Sequence, residues 1–393
     1  MQESTRQKAA IPFWRDERIL NILGQAAFVI GLVFFGSLII QNMKAGLSAQ
    51  GITIGYGFLK GISGFDISET LFPYSRTSTY WQAYLVGLLN TLSVSIVGVI
   101  ASTILGVVLG VARLSTNFLI NRLAAFYLEL IRNLSLLVFL IFWYLAVFLK
   151  LPRIREAIVW PGPIFFTNRG VGIPWGIPTE SYPTFRLILL LSLILSVCVF
   201  FAFRAYGNRT GRAPLTTLWT FLTFILVALF GWFVLPQKPL ILDAPFVQGL
   251  NMSGGKVLSP EFMALTSGLV LYTSAFIGEV VRSGILSVSK GQVEASRALG
   301  LNGFQTMRLV VFPQALRVII PPLTSQYLNL IKNSSLAIAV GYPDLFYISN
   351  TIQNQTGRAV EMLSLVMVTY LMFSLVTSAF MNWYNQRVRL VER

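Results

Sequence analysis

Glu129, Arg132, Glu279, Arg282 and Lys332 are ionisable side chains that fall inside or at the ends of long apolar runs of this chain. An ionised group within a bilayer span costs about 2.5–3.5 kcal/mol on insertion scales, so such residues face a partner or a wet cavity. Glu129 with Arg132, and Glu279 with Arg282, stand three residues apart and share a helical face. Two readings are open for each pair. It is a self-neutralised pair near a helix end, with the arginine reaching for headgroups, or it lines a path through the membrane. Lys332 sits in a polar cluster with Asn329, Asn333, Ser334 and Ser335, and Pro321 and Pro322 loosen the start of its helix. Interhelical hydrogen bonding and a cavity wall both account for that cluster. Other chemistry is thin. The chain has no histidine and one cysteine, Cys198, so we expect no catalytic residues, no disulfide and no metal site.

One polar stretch is built to fold. Gln292-Val-Glu-Ala-Ser-Arg-Ala-Leu-Gly300 and Leu301-Asn-Gly-Phe-Gln-Thr-Met-Arg-Leu-Val-Val-Phe-Pro313 lie between two apolar runs, among Arg282, Lys290, Arg308 and Arg317. Glu294, Ala295 and Ala298 favour helix, and Gly300 supplies a left-handed end. Pro313 is expected to stop a second short helix.

The elements that position these groups follow from composition. With 55% hydrophobic and 11% charged residues, far below the roughly 25% charge of a soluble domain, the chain is an all-α polytopic membrane protein. Eight apolar stretches reach spanning length, near Ile19–Gln41, Tyr84–Val111, Leu123–Leu149, Phe185–Phe203, Leu218–Leu235, Phe262–Val281, Val318–Val340 and Leu363–Trp383. The first is expected to be a retained helix, preceded by a cytoplasmic lead-in at Ile11–Arg18. An even count puts both termini on one side. With cytoplasmic termini, the inner segments hold 17 of the 30 Lys and Arg and the outer ones 11, so the positive-inside rule selects that orientation.

Residues 42–83, 150–184 and 236–260 are then external. The second carries six prolines between Pro152 and Pro183, which predicts stiff, extended chain. Gly106-Val-Val-Leu-Gly110 fits a small-residue packing motif. Ser253-Gly-Gly-Lys256 lacks the upstream glycine of a phosphate loop, and Val257 follows the lysine, so no ATP site is expected here. The net charge of +15 is dispersed over short loops and forms no stripe, which argues against nucleic acid and for topology and anionic membrane lipids.

The polar stretch resembles the EAA signature of ABC importer permeases: Glu-Ala-Ala, three residues, Gly, nine residues, Ile, one residue, Leu and Pro. Glu294, Ala295, Gly300 and Pro313 fall in register, while Ser296, Val310 and Phe312 replace Ala, Ile and Leu. Gly87-Leu-Leu-Asn-Thr-Leu92 resembles the first conserved helix of the amino-acid permeases in that superfamily. Glu129-Leu-Ile-Arg-Asn-Leu-Ser-Leu-Leu137 resembles their Glu-x-x-Arg-Asn-x-Pro-Leu-Leu element, with Ser135 where Pro is usual. Asn168-Arg-Gly170 echoes an external loop element. Ala275–Gly284 resembles the segment leading into the loop, with Gly278 where Ala is common, and Asn329-Leu-Ile-Lys-Asn-Ser-Ser-Leu336 resembles the element after it. The likeness is to the polar and general L-amino-acid branch, of histidine, glutamine and glutamate permease type, and to the long permease of the general systems.

That resemblance implies a permease core formed by residues 84–150 and 262–385 within a domain 84–393, preceded by a segment 1–83 and interrupted by an insertion, 150–260. The loop 285–317 would be the coupling loop, docking on ATPase subunits through Glu294, Ala295, Ser296, Leu299, Gly300, Leu301 and Pro313. ATP and magnesium would be bound by those partners, with no cofactor in this chain. Further implied partners are a second permease subunit, identical or paralogous, and an external binding protein, at a bacterial inner membrane. A zwitterionic substrate needs an acceptor for its ammonium and a donor for its carboxylate, which Glu279, Arg282, Glu129 and Arg132 could provide along with Asn329, Lys332, Asn333 and Ser334. An ion-coupled secondary transporter is the alternative, although it leaves the register of the loop unexplained.

Overall fold

The computed structural model describes residues 17–49, 55–160, 162–210, 215–249 and 251–388. Most of the expected lead-in, up to Asp16, lies outside the described residues. Helices dominate, in the order α1 (Glu17–Ala49), α2 (Tyr80–Ala112), α3 (Phe118–Arg132), α4 (Leu136–Phe142), α5 (Tyr182–Thr210), α6 (Thr216–Val234), α7 (Pro260–Leu286), α8 (Lys290–Ala298), α9 (Gly303–Thr306), α10 (Phe312–Asn333), α11 (Leu345–Thr356) and α12 (Ala359–Val388). Among the described residues six helices are long and apolar enough to cross a membrane: α1, α2, α5, α6, α7 and α12. The bent pair formed by α3 and Leu136–Lys150 adds a seventh if its two arms are counted as one span. The eighth position is α10, whose Arg317, Gln326, Asn329 and Lys332 lower its apolar character.

Two expected spans are not single helices. The stretch Leu123–Leu149 bends by 106°. At the break the Asn133 side chain donates to the Glu129 carbonyl, 2.6 Å, and Ser135 turns extended (φ −73°, ψ 128°) to start α4. A helix interior broken in this way needs no proline, so Ser135 leaves the bend intact. The stretch Val318–Val340 is helical only to Asn333 and then tightens into a 3-10 turn over Ser334–Ala339.

The proline-rich insertion is more structured than extended chain. It forms eight short strands: β1 (Ile158–Trp160), β2 (Ile164–Thr167), β3 (Gly170–Ile173), β4 (Trp175–Pro178), β5 (Leu240–Asp243), β6 (Phe246–Gln248), β7 (Asn251–Ser253) and β8 (Lys256–Leu258). They pair in the sheet order β1-β2-β3-β8 and in two ribbons, β4-β5 and β6-β7, all antiparallel. The strands gather at one end of the helices, here the strand end; the opposite end carries α8 and α9.

The core surrounds α7, the most buried of the long helices. Gly106 and Gly110 let α2 approach it closely: a Cβ at Gly106 would lie 2.5 Å from Ile277, and one at Gly110 would lie 2.7 Å from the Gly278 carbonyl. Ile277, Val281, Ala315 and Ile319 then tie α7 to the start of α10. Near the strand end Tyr84, Leu345, Ile348, Ile352 and Met362 join α2, α11 and α12. No described residue of α1 is buried. Helices α5 and α6 pack on each other, through Gly231 against Ile188 and the Phe185 and Trp232 rings. Cys198, on α5, is exposed.

Candidate coupling loop and polar path

Between α7 and α10 the chain is braced at every turn. Leu299 caps α8, and Gly300 follows in the left-handed conformation (φ +77°). Its amide bonds the Arg297 carbonyl at 2.9 Å and the Leu301 amide bonds the Ser296 carbonyl at 3.1 Å. These are the two bonds of a Schellman cap, which satisfies the last carbonyls of a helix. Asn302 and Gln305 form a reciprocal capping box that starts α9, each bond 2.9 Å. Between the two helices Ser296, 2% exposed, donates to Thr306 at 3.0 Å. A serine at this position therefore replaces a methyl with a cross-link.

That bracing decides what the loop presents. Glu294 and Ala295 are exposed. Leu299 is 82% exposed and Phe304 73%, while Leu301 is half-buried. Leu299 is thus a free apolar knob, and Ser296 is internal structure. Pro313 does not stop the second helix as expected. A π turn over Met307–Val311 widens the backbone ahead of it, and Pro313 enters in the first turn of α10, where a missing N–H is tolerated.

The polar residues inside the membrane group differently from their sequence pairs. Glu279 and Arg282 do pair, with the guanidinium donating to both carboxylate oxygens. Glu129 makes no ion pair among the described residues. Arg132 instead reaches across to Glu279, 3.8 Å, with its guanidinium beside the Phe276 ring. The cause is the bend: Arg132 is the last residue of α3, and the chain turns away there. One carboxylate therefore lies between two guanidiniums, and the cluster carries a net positive charge.

A second polar set lies on α10. Ser325, Asn329 and Lys332, at i, i+4 and i+7, are all exposed, and the Asn329 and Lys332 side chains make no hydrogen bond or ion pair among the described residues. Asn333 is half-buried. Ser334 belongs elsewhere: it is fully buried and donates to the Ile331 carbonyl, 2.7 Å. Leu136, one residue past the α3–α4 break, packs in one cluster with Ala337 and Val340, just past the α10 stripe.

Sequence reasoning missed Asp344. It is fully buried, caps α11 by accepting the Tyr347 amide at 2.8 Å, and has the Tyr370 hydroxyl 3.5 Å away. Burial pushes its carboxyl up to about 7 although amide donors oppose the shift. The readable signal was a Pro-Asp pair directly before an apolar helix.

Residues 102–390 match the family described as "Binding-protein-dependent transport system inner membrane component". The chain is 42% identical over 378 residues to the general L-amino acid transport system permease protein AapQ of Rhizobium johnstonii, covering 96% of this chain and 94% of that protein. It is 42% identical over 375 residues to the putative amino-acid ABC transporter permease protein YhdX of Escherichia coli, covering 94% of each. A solved structure described as an amino acid ABC transporter with histidines aligns over 78% of this chain and 95% of its own, with 20% identity and a TM-score of 0.47. This chain belongs to the family of inner membrane components of binding-protein-dependent transport systems.

Proposed function

We propose that the chain is the transmembrane permease subunit of an ATP-driven, binding-protein-dependent importer of L-amino acids. The observation that carries this reading is the loop of α8 and α9: an exposed leucine at the Schellman-capped end of α8, with Ser296 bonded across to Thr306 of α9 and Gln314 of α10 donating to Gln292 of α8 at 3.4 Å. Such a unit transmits a push as a rigid body. An ATPase that closes on binding ATP and magnesium would move it and so alternate the access of a central cavity. The chain itself carries out no hydrolysis. The relatives' names supply the substrate class. Family membership argues against the ion-coupled alternative.

In this reading the α8 end is cytoplasmic, with the termini, and the strand end faces the binding protein. The α10 stripe supports pairing with a second permease copy, identical or paralogous. Exposed Asn329 and Lys332 are costly against lipid and acceptable against a water-filled cavity between subunits. The positive cluster of Arg132, Glu279 and Arg282 suits the substrate carboxylate better than its ammonium. Affinity purification of the tagged chain from its own membrane tests the partner set: an ATPase and a permease should co-elute, and elution of the chain alone would refute it.

A further inference from the structure

At the strand end a cavity of about 340 Å³ opens between the core and both added segments. Its volume is at the lower end of the range for small-molecule sites. Glu69 comes from the loop before α2, Lys256 from β8 of the insertion, and Asn90, Phe262 and Tyr342 from the core. Three stretches distant in sequence converge on it.

The two charged groups have opposite sign and are each held in place without meeting. The Glu69 carboxylate accepts the Ser259 amide at the head of α7, 2.9 Å, and the Tyr342 hydroxyl faces it. The Asn90 side chain pins the Glu69 carbonyl, 3.0 Å, and the Pro343 carbonyl, 2.9 Å. The Lys256 ammonium stands over the Trp175 ring, 4.7 Å from its centre. Neither group is in a salt bridge among the described residues. A carboxylate and an ammonium fixed apart on one small cavity are complementary to a zwitterion of the opposite sense.

We propose that this cavity is an entry site for free α-amino acids, in which Glu69 takes the α-ammonium and Lys256 the α-carboxylate. It rests on the proposed function, since it supposes that the strand end faces the binding protein and that amino acids are the cargo. The site reads only groups common to all α-amino acids. Partial burial raises the Glu69 carboxyl above its ordinary range, with the Ser259 bond and the Lys256 charge opposing the rise. An incoming ammonium would favour the charged form further.

The test uses the assembled importer in lipid nanodiscs, without binding protein or ATP, titrated with L-glutamine. Binding is read as the tryptophan fluorescence change that Trp175→Phe abolishes. Two analogues run in parallel: 4-carbamoylbutanoate, which lacks the ammonium, and 4-aminobutanamide, which lacks the carboxylate. Glu69→Gln should weaken L-glutamine by about tenfold or more and leave 4-carbamoylbutanoate unchanged. Lys256→Met should do the same with the analogues exchanged, and Lys256→Arg should retain binding. Unchanged affinity in both variants, equal losses for all three ligands, or no signal from the wild type would overturn the site. ATP-dependent L-glutamine uptake by the same wild-type complex separates that failure from failure of the function, which would appear as no uptake of any L-amino acid.

Discussion

Replacing Gly300 isolates the geometry of the coupling loop from its contacts. A Cβ added there meets nothing within 4 Å, so no steric clash contributes. The whole cost is backbone. At φ +77° an L-residue is disfavoured by about 1–2 kcal/mol, least for Asn and most for a β-branched residue. Both Schellman bonds, from Gly300 and Leu301, depend on that conformation. A penalty of this size lowers the correctly capped fraction by roughly 5–30-fold. The loop lies outside the packed core, so insertion and folding of the spanning helices should persist. In proteoliposomes containing the assembled importer, ATP-driven uptake should fall in the order Gly, Asn, Ala, Val, with Gly300→Val losing about tenfold or more. Wild-type uptake by Gly300→Val, or an order that follows side-chain size without regard to Asn, would refute the coupling geometry.

Leu299→Asp should change the melting temperature of the chain little, within about 0.5 kcal/mol for a surface site, yet abolish co-purification of the ATPase. Leu299→Met should retain it. Glu279→Gln leaves Arg132 and Arg282 without their shared carboxylate and should cost about 1–3 kcal/mol of stability by thermal melting. Adding Arg282→Gln should recover part of that loss; lost uptake with unchanged melting would instead place the carboxylate on the path. Asp344 holds a proton in the folded chain up to about pH 7, one that the unfolded chain releases near its ordinary value of 3.8. Stability should therefore fall as pH rises from about 4 to about 7. Asp344→Asn, which keeps a helix cap, should flatten that slope in melts across this range.

The local fold of the α8 segment was legible because its signals are local. A glycine ending a helix is set by its neighbours in sequence. The π turn before Pro313 was not, because its widened backbone leaves no mark in residue type. The bend at Asn133–Ser135 was hidden because the apolar runs on either side outweigh its few polar residues, so averaged hydropathy reads one span where the structure has two segments. With the bend went the partner of Arg132: spacing favoured Glu129 on the same helix, and the actual partner, Glu279, comes from another. The strands escaped notice for a different reason. At three or four residues each, they are too short for alternation to show, and their pairing joins residues across the α5–α6 hairpin, as Val171 with Leu258.

The measurement that bears most directly on the central claim is uptake of labelled L-glutamine by proteoliposomes containing this chain with its co-purified partners and a binding protein. Uptake should require ATP inside the α8-facing compartment, survive collapse of proton and sodium gradients, and vanish when the ATPase is stripped away. Uptake that persists without ATP and stops with either gradient would contradict the account.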